Sequence, residues 1–237
     1  MTSSASETRA PIAVALDAPD LQTLSRWVGD VAGIVSTVKV GLEVFCRDGG
    51  KTVHAAQYAA AEFGGVDIFL DLKLHDIPAT VRGACLAVAD LTPTYLTVHA
   101  AGGHEMIAAA AEALPGTRIT AVTILTSLDD SVLAAIGMAG PSESAAVRLA
   151  VLAADAGARA IVCSPQEVAA VRAAVGPSIT LVTPGVRPAG ASLDDQRRVA
   201  TPAQAIADGA DLLVIGRPIT GAEDVRAAAI AIAAQLA

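Results

Sequence analysis

The sequence has few charged residues and no long uninterrupted apolar run. Charged residues make up 17% of the 237 residues, and hydrophobic residues make up 53%. This balance excludes a disordered chain and is typical of a fold whose strands are covered on both faces. The net charge of −8 disfavours nucleic acid or an anionic membrane as a partner, because both carry negative charge.

Cysteines are also few. Cys46, Cys85 and Cys163 are far apart and form no CxxC pair, so we interpret them as small buried residues of a reducing compartment. Neither a disulfide framework nor a metal site is predicted. No apolar run approaches the roughly 20 residues of a membrane span. The polar start lacks a signal-peptide core, so we expect a cytoplasmic protein with a frayed tail over 1–10 and one domain over 11–237.

Short β-branched segments alternate with Ala- and Leu-rich stretches along the whole chain. Leu24, Val28 and Val31, for example, recur at helical spacing. Such βα units require parallel strands joined by right-handed crossovers. Eight units without a break in composition predict an α/β fold, a single (β/α)₈ TIM barrel, with an open doubly wound sheet as the alternative. The strands are predicted at 12–16, 37–40, 67–72, 95–98, 119–122, 160–163, 180–182 and 212–215.

Polar side chains lie at or just after the carboxyl ends of these predicted strands. A barrel brings the carboxyl ends of all its strands to one rim, where the active sites of this fold are found. We therefore expect these side chains to line one site. They are Asp17, Lys39, Asp71, Lys73, His99, Thr126, Ser127, Arg187, Gln196, Gly216 and Arg217.

The most informative segment is 69–78, an apolar strand that contains Asp71 and Lys73 and runs into a loop with Asp76. Residues two apart on a strand share a face, so Asp71 and Lys73 should project the same way. A buried charge without a partner shifts its pKa and neutralises, so these charges require mutual pairing. A structural ion pair and a catalytic charge network both remain open at this point.

Two strand–Gly–Arg sequences, 185–187 and 216–217, indicate a phosphate site. Glycine lets backbone N–H groups approach an anion, a following helix N-terminus adds a favourable dipole, and arginine donates to phosphate oxygens. Barrels often bind phosphate between the loops after strands seven and eight, where both sequences fall. We predict that 188–201 is a mobile lid that carries Gln196 over the ligand.

Taken in order, the motifs of the chain are similar to those of the orotidine 5'-phosphate decarboxylases of the bacterial short-chain type. DxKxxDIPxT at 71–80 is highly specific, and the resemblance spans essentially the whole chain. It implies a TIM-barrel homodimer that converts orotidine 5'-monophosphate to UMP and CO₂ with neither metal nor other cofactor. The other matching segments are 15–17, 38–41, 98–103, 125–127, 183–187 and 216–220.

The resemblance implies a catalytic role for four of the matching residues. Lys39, Asp71, Lys73 and Asp76 would form a network of alternating charges, in which Asp76 comes from the partner subunit. Lys73 would stabilise a carbanion at C6 of the pyrimidine and then protonate it. Asp71 would disfavour the substrate carboxylate in the ground state, while Lys39 and Asp76 would hold Lys73 protonated and oriented.

The other matching residues imply substrate contacts. Asp17 and Lys39 would bind the ribose, and either Thr126 or Ser127 would recognise the pyrimidine, a choice that the sequence leaves open. Two residues of the partner subunit would line the ribose and base pocket, Ile77 and Thr80. The phosphate would contact Gln196, Arg217 and the Gly216 backbone, with Arg187 nearby, and Pro184 would be a further substrate contact.

Two other functions stay open on the sequence. Related barrels, the metal-dependent sugar-phosphate decarboxylases and aldolases, also carry a DxKxxD segment, but they have an acidic metal ligand where this chain has Lys39. A cation at that position would repel Mg²⁺, which disfavours this alternative. A barrel that binds a phosphate ligand without catalysis is the second alternative, and the intact set of charges disfavours it.

Overall fold

A computed structural model describes residues 9–187 and 200–236, and they form a closed barrel of eight parallel strands. Neighbouring strands pair in chain order, and the eighth strand closes onto the first. The predicted barrel is confirmed, and the open sheet is wrong. The strands are β1 (Ala10–Ala15), β2 (Val35–Gly41), β3 (Asp67–Leu74), β4 (Tyr95–His99), β5 (Arg118–Val122), β6 (Ala160–Val162), β7 (Thr180–Thr183) and β8 (Leu212–Ile215).

Helices separate the strands and cover the outside of the barrel. In the first helix, the Asp20 carboxylate accepts the Thr23 N–H and caps the N-terminus, while Leu24, Val28 and Val31 form the buried face. The helices are α1 (Leu21–Val31), α2 (Leu42–Asp48), α3 (Lys51–Ala60), α4 (Pro78–Ala87), α5 (His104–Ala113), α6 (Asp130–Ala135), α7 (Ser142–Asp155), α8 (Val168–Val175), α9 (Pro202–Ala207), α10 (Arg217–Thr220) and α11 (Val225–Ala233).

Side chains of the strands alternate between two apolar layers. One layer packs against the helices and includes Val14, Leu70 and Leu96. The other lies inside the barrel, where the buried Thr37 and Thr120 pair in register with two of its members, Ala13 and Ala160. Its buried members are Ala13, Phe69, Tyr95, Ala160, Val182 and Leu212.

Several local features differ from the sequence analysis. The helix α6 was not predicted; the Asp129 carboxylate caps it by accepting the N–H groups of Ser131 and Val132. Cys46 is exposed and not buried as predicted. Ala10, expected in the tail, begins β1, and residues 1–8 lie outside the described part of the chain. No helix within the described residues is long and apolar enough to cross a membrane.

Candidate active site

The carboxyl ends of the strands surround a cavity of about 420 Å³. Most of the site residues predicted from the sequence line it, as expected for side chains at one rim of a barrel. The lining includes Asp17, Lys39, Asp71, Lys73, Thr126, Ser127, Pro184, Arg187, Gly216 and Arg217. Because Thr126 and Ser127 both face the cavity, the choice between them stays open.

A three-residue ion cluster lies on one wall of this cavity. The Lys39 ammonium is 3.1 Å from Asp71 Oδ2, and the Lys73 ammonium is 2.8 Å from Asp71 Oδ1. Each oxygen of the carboxylate therefore accepts from a different lysine. The expected pairing of Asp71 with Lys73 is confirmed, and Lys39 joins it from the neighbouring strand. Lys39 and Lys73 are two of only three lysines in the chain; the third is Lys51.

The two lysines keep Asp71 ionised. Burial acts to raise the pKa of its carboxyl group, but the positive charges of Lys39 and Lys73 and their hydrogen bonds act more strongly in the opposite direction. The net result lowers the pKa of Asp71 from 3.8 to about 2. A permanent negative charge is thus fixed beside the Lys73 ammonium at neutral pH.

The backbone of β3 is distorted where it carries this cluster. Lys73 has a φ of 49°, a left-handed conformation that residues other than glycine rarely adopt. Its N–H donates to Thr97 Oγ1 at 2.8 Å, and the Thr97 hydroxyl donates to Asp71 Oδ1 at 3.0 Å. Thr97 was not among the predicted site residues. The only signal in the sequence is a hydroxyl within the apolar run of β4.

Gly41 leaves room for the cluster at the end of β2. A Cβ at this position would lie 3.0 Å from Lys39 Nζ and 3.3 Å from Asp17 Oδ1, so both side chains would have to shift by a few tenths of an ångström. The Asp17 loop is held from outside, since Arg47 Nη1 donates to the carbonyl of Ala18 at 2.7 Å. Asp17 and Lys39 therefore approach the same part of the cavity, as the sequence analysis expected.

The loops after β7 and β8 bring two arginines to the cavity. Arg187 is buried and follows Gly185, whose φ of 74° is left-handed. Arg217 follows Gly216 and begins α10. That helix has only four residues, so the helix dipole that we expected here contributes little. Gln196 and most of the predicted lid lie outside the described residues; Val186 and Ala200, on either side of that gap, form a parallel bridge.

Three predicted residues do not line the cavity of their own chain. Asp76, Ile77 and Thr80 are exposed, and Ile77 retains 65% of its accessible surface. The Asp76 carboxylate accepts the N–H of Ile77 at 2.6 Å. Within one chain, therefore, the structure does not bring Asp76 to the cluster of Lys39, Asp71 and Lys73.

His99 lies beside the cluster without lining the cavity. It is half-buried, and its ring centroid is 5.4 Å from that of His75. Burial lowers the pKa of His99, the charges of His75 and Lys73 lower it further, and Asp71 opposes them. These effects favour the neutral form of the His99 ring. No group of three or more His, Cys, Asp or Glu side chains in the described ranges could hold a metal ion.

Comparison with known proteins agrees with this geometry. Residues 10–232 match the model of the Orotidine 5'-phosphate decarboxylase / HUMPS family. The chain is 64% identical to the orotidine 5'-phosphate decarboxylase of Thermobifida fusca over 96% of both chains, and 54% identical to that of Frankia casuarinae over 96% of this chain and 88% of the relative. The crystal structure of the orotidine 5'-phosphate decarboxylase from Lactobacillus acidophilus superimposes with a TM-score of 0.82 at 35% identity, over 96% of this chain and 99% of that one. The chain belongs to the orotidine 5'-phosphate decarboxylase family.

Proposed function

We propose that this protein decarboxylates orotidine 5'-monophosphate to UMP and CO₂ in de novo pyrimidine biosynthesis. The observation that carries the proposal is the Lys39–Asp71–Lys73 cluster on the wall of the rim cavity. High identity to enzymes named for this reaction supports it. The reaction uses no metal or other cofactor, and the single domain acts in the cytoplasm on a small nucleotide.

The charge of the cavity suits this substrate. Its ionisable lining consists of four basic and two acidic side chains, although the chain as a whole carries −8. The substrate carries a phosphate and a carboxylate, so a locally positive cavity attracts it. The lining groups are Lys39, Lys73, Arg187, Arg217, Asp17 and Asp71.

Lys73 is the proposed acid. When the bond from C6 to the carboxylate breaks, CO₂ leaves. The electron pair of the broken bond stays on C6, in an orbital orthogonal to the ring π system. Because no electron sink is available, stabilisation must come from charges that are already in place. The Lys73 ammonium stabilises this carbanion and then transfers a proton to C6. Solvent then reprotonates the neutral Lys73 amine.

Asp71 and Lys39 prepare the site for this step. Asp71 stays ionised because its pKa is held at about 2, so it repels the substrate carboxylate until neutral CO₂ departs. Lys39 neutralises the other carboxylate oxygen, which fixes the orientation of Asp71. The Lys73 ammonium therefore meets C6 with little reorganisation.

Contacts far from C6 provide binding energy for the reaction. Arg217, the Gly216 backbone and Arg187 contact the phosphate, and Pro184 lines the same cavity. Gln196, the further phosphate contact predicted from the sequence, lies outside the described residues. Such remote contacts raise the rate when they organise the reacting groups. At the other end, Asp17 and Lys39 bind the ribose, and Thr126 or Ser127 recognises the pyrimidine.

The site is completed across a homodimer. Asp76 contributes the fourth charge to the partner's cluster, and Ile77 and Thr80 close the partner's ribose and base pocket. The exposure of all three residues, together with their absence from the cavity of their own chain, supports this arrangement. A large apolar side chain such as Ile77 gains stability when a second chain covers it.

A direct assay tests the function. Purified protein is mixed with orotidine 5'-monophosphate, and the loss of ultraviolet absorbance is followed with and without EDTA. We expect turnover that EDTA does not reduce. Activity that EDTA abolishes and Mg²⁺ restores would favour a metal-dependent sugar-phosphate enzyme instead. Binding of a phosphate ligand without turnover would favour a barrel that lacks catalysis.

Subunit mixing tests the shared site. Lys73→Ala and Asp76→Ala variants are each assayed alone and then mixed after mild dissociation. In a mixed dimer, one of the two sites has an intact Lys73 and an intact Asp76 from the other chain. With random exchange, we expect about a quarter of wild-type activity to return. If the mixture stays as inactive as its components, Asp76 does not act across the interface.

A further inference from the structure

The strand pairing beside the catalytic lysine is irregular. Leu70 pairs with Leu96 and Leu74 pairs with Val98, so three residues of β3 face a single residue of β4. That single residue is Thr97. Such a bulge redirects side chains and is often found next to active sites. Here it places Lys73 in the left-handed conformation, with a φ of 49°.

Thr97 is fully buried, and its hydroxyl contacts both partners of the ion pair. It accepts the Lys73 N–H at 2.8 Å and donates to Asp71 Oδ1 at 3.0 Å. The same Asp71 oxygen accepts from Lys73 Nζ at 2.8 Å. A hydroxyl has one proton to donate, so these contacts fix its orientation. One side chain thus holds the backbone of the lysine and the carboxylate that binds its ammonium.

We propose that Thr97 is a positioning residue for proton transfer: its hydroxyl keeps Lys73 in the bulged conformation and aims the ammonium at C6 of the substrate. The proposal rests on the proposed function, because Lys73 is the acid that Thr97 positions. Left-handed backbone is costly for a residue with a Cβ, so it persists where the surroundings enforce it. Among the described contacts of the Lys73 backbone N–H, the Thr97 hydroxyl provides that constraint.

Loss of the hydroxyl has a predictable effect on the site. A valine at 97 has nearly the same shape, but it leaves the Lys73 N–H without an acceptor and removes a donor from Asp71. A buried N–H without a partner is unfavourable, so the bulge relaxes and the Lys73 ammonium shifts. A shift of about 1 Å in a reacting group is enough to lower the rate by about 100-fold.

Thr97→Val, Thr97→Ser and a control variant test the proposal by steady-state kinetics with orotidine 5'-monophosphate. Thr120 provides the matched control, since it is also fully buried, lies in the neighbouring β5, and donates to the Arg118 carbonyl at 2.9 Å. We expect kcat of Thr97→Val to fall by roughly 30- to 100-fold, with KM changed by less than about threefold. Thr97→Ser should stay within about threefold of wild type in kcat. Thr120→Val should keep the wild-type kcat, even if its melting temperature falls as far as that of Thr97→Val.

Three results would overturn the proposal: wild-type kcat in Thr97→Val, equal losses in Thr97→Ser and Thr97→Val, or an equal loss in Thr120→Val. If Thr97→Val does not fold, Thr97→Ala and Thr97→Ser give the same comparison, because they differ by the hydroxyl alone. A crystal structure of the valine or alanine variant adds a readout that does not depend on turnover. An unchanged Lys73 φ and an unchanged distance from Nζ to Asp71 would refute the positioning role. If the wild type does not decarboxylate the substrate, the proposed function fails, and this structural readout decides the role of Thr97.

Discussion

The two ends of the barrel use charged side chains in opposite ways. At the amino-terminal end, all five N–H donors of Arg172 are used within the protein. They bind the carbonyls of Gly176, Ile179 and Gly209 and the carboxylate of Asp211. Arg118 donates to the Tyr95 hydroxyl at 2.7 Å and lies over the Tyr95 ring. Positive charge at this end joins loops and strands to each other.

At the carboxyl end, two lysines share one carboxylate. Lys39 and Lys73 each donate to a single oxygen of Asp71, although an ammonium has three N–H donors. Both lysines face the cavity, which Arg187 and Arg217 also line. Positive charge at this rim therefore faces the cavity. The comparison predicts that substitutions at the rim reduce activity, whereas substitutions at the amino-terminal end reduce stability.

Lys73→Ala should have the largest effect of all. Removing the acid and its charge should lower kcat by roughly 10,000-fold or more, because general-acid and electrostatic stabilisation are lost together. Binding of a UMP analogue should remain measurable by calorimetry. Lys51→Ala, at the exposed third lysine, is the matched control and should retain full activity. Near wild-type turnover by Lys73→Ala would remove the proposed acid.

Arg217→Ala should weaken the binding of the substrate, because the variant loses a contact with the substrate phosphate. We expect kcat/KM for orotidine 5'-monophosphate to fall by about 100-fold, which corresponds to about 3 kcal/mol of charge-assisted hydrogen bonding. With orotidine, which lacks the phosphate, the penalty should largely vanish. Arg226→Ala, at an exposed arginine of α11, serves as the control for loss of charge. An equal penalty with both substrates would refute the assignment.

Arg172→Met tests the other side of the comparison. The variant removes the donors of several carbonyls at the amino-terminal end, and we expect the free energy of unfolding to fall by about 3 kcal/mol. Chemical denaturation measures this loss. At 25 °C, kcat should stay within about twofold of wild type, because the rim is unaffected. A large loss of kcat in folded protein would show that the two ends are not separate in function.

Acid should lower the free energy of unfolding, because it protonates Asp71. Its folded-state pKa of about 2 lies below the ordinary value of 3.8, so ionisation of Asp71 stabilises the fold above about pH 4. This contribution, about 2 kcal/mol, is lost as the pH falls from 3.8 toward 2. Unfolding measured between pH 5 and pH 2.5 should show a weaker pH dependence in Asp71→Asn than in wild type. Identical dependences would contradict the strong coupling to Lys39 and Lys73.

The structure could be predicted from the sequence where it is determined by residues that are close together along the chain. Alternating segments predicted all eight strands, and the spacing of Asp71 and Lys73 predicted their contact, because strand periodicity is local. The left-handed backbone of Lys73 could not be predicted, since it depends on Thr97, which lies 24 residues away on another strand. The helix α6 was missed for another reason: it has only six residues, Gly137 and Gly140 follow it closely, and the Asp129 cap is a weak signal.

The scarcity of lysine makes this protein convenient for spectroscopy. With two of the three lysines in the candidate active site, incorporation of ¹⁵N-labelled lysine would give a spectrum in which most side-chain signals arise from the ion cluster with Asp71. Changes in the Lys73 resonance during a titration with nucleotide would then follow the proposed acid directly, and Lys51 would provide an internal reference on the surface.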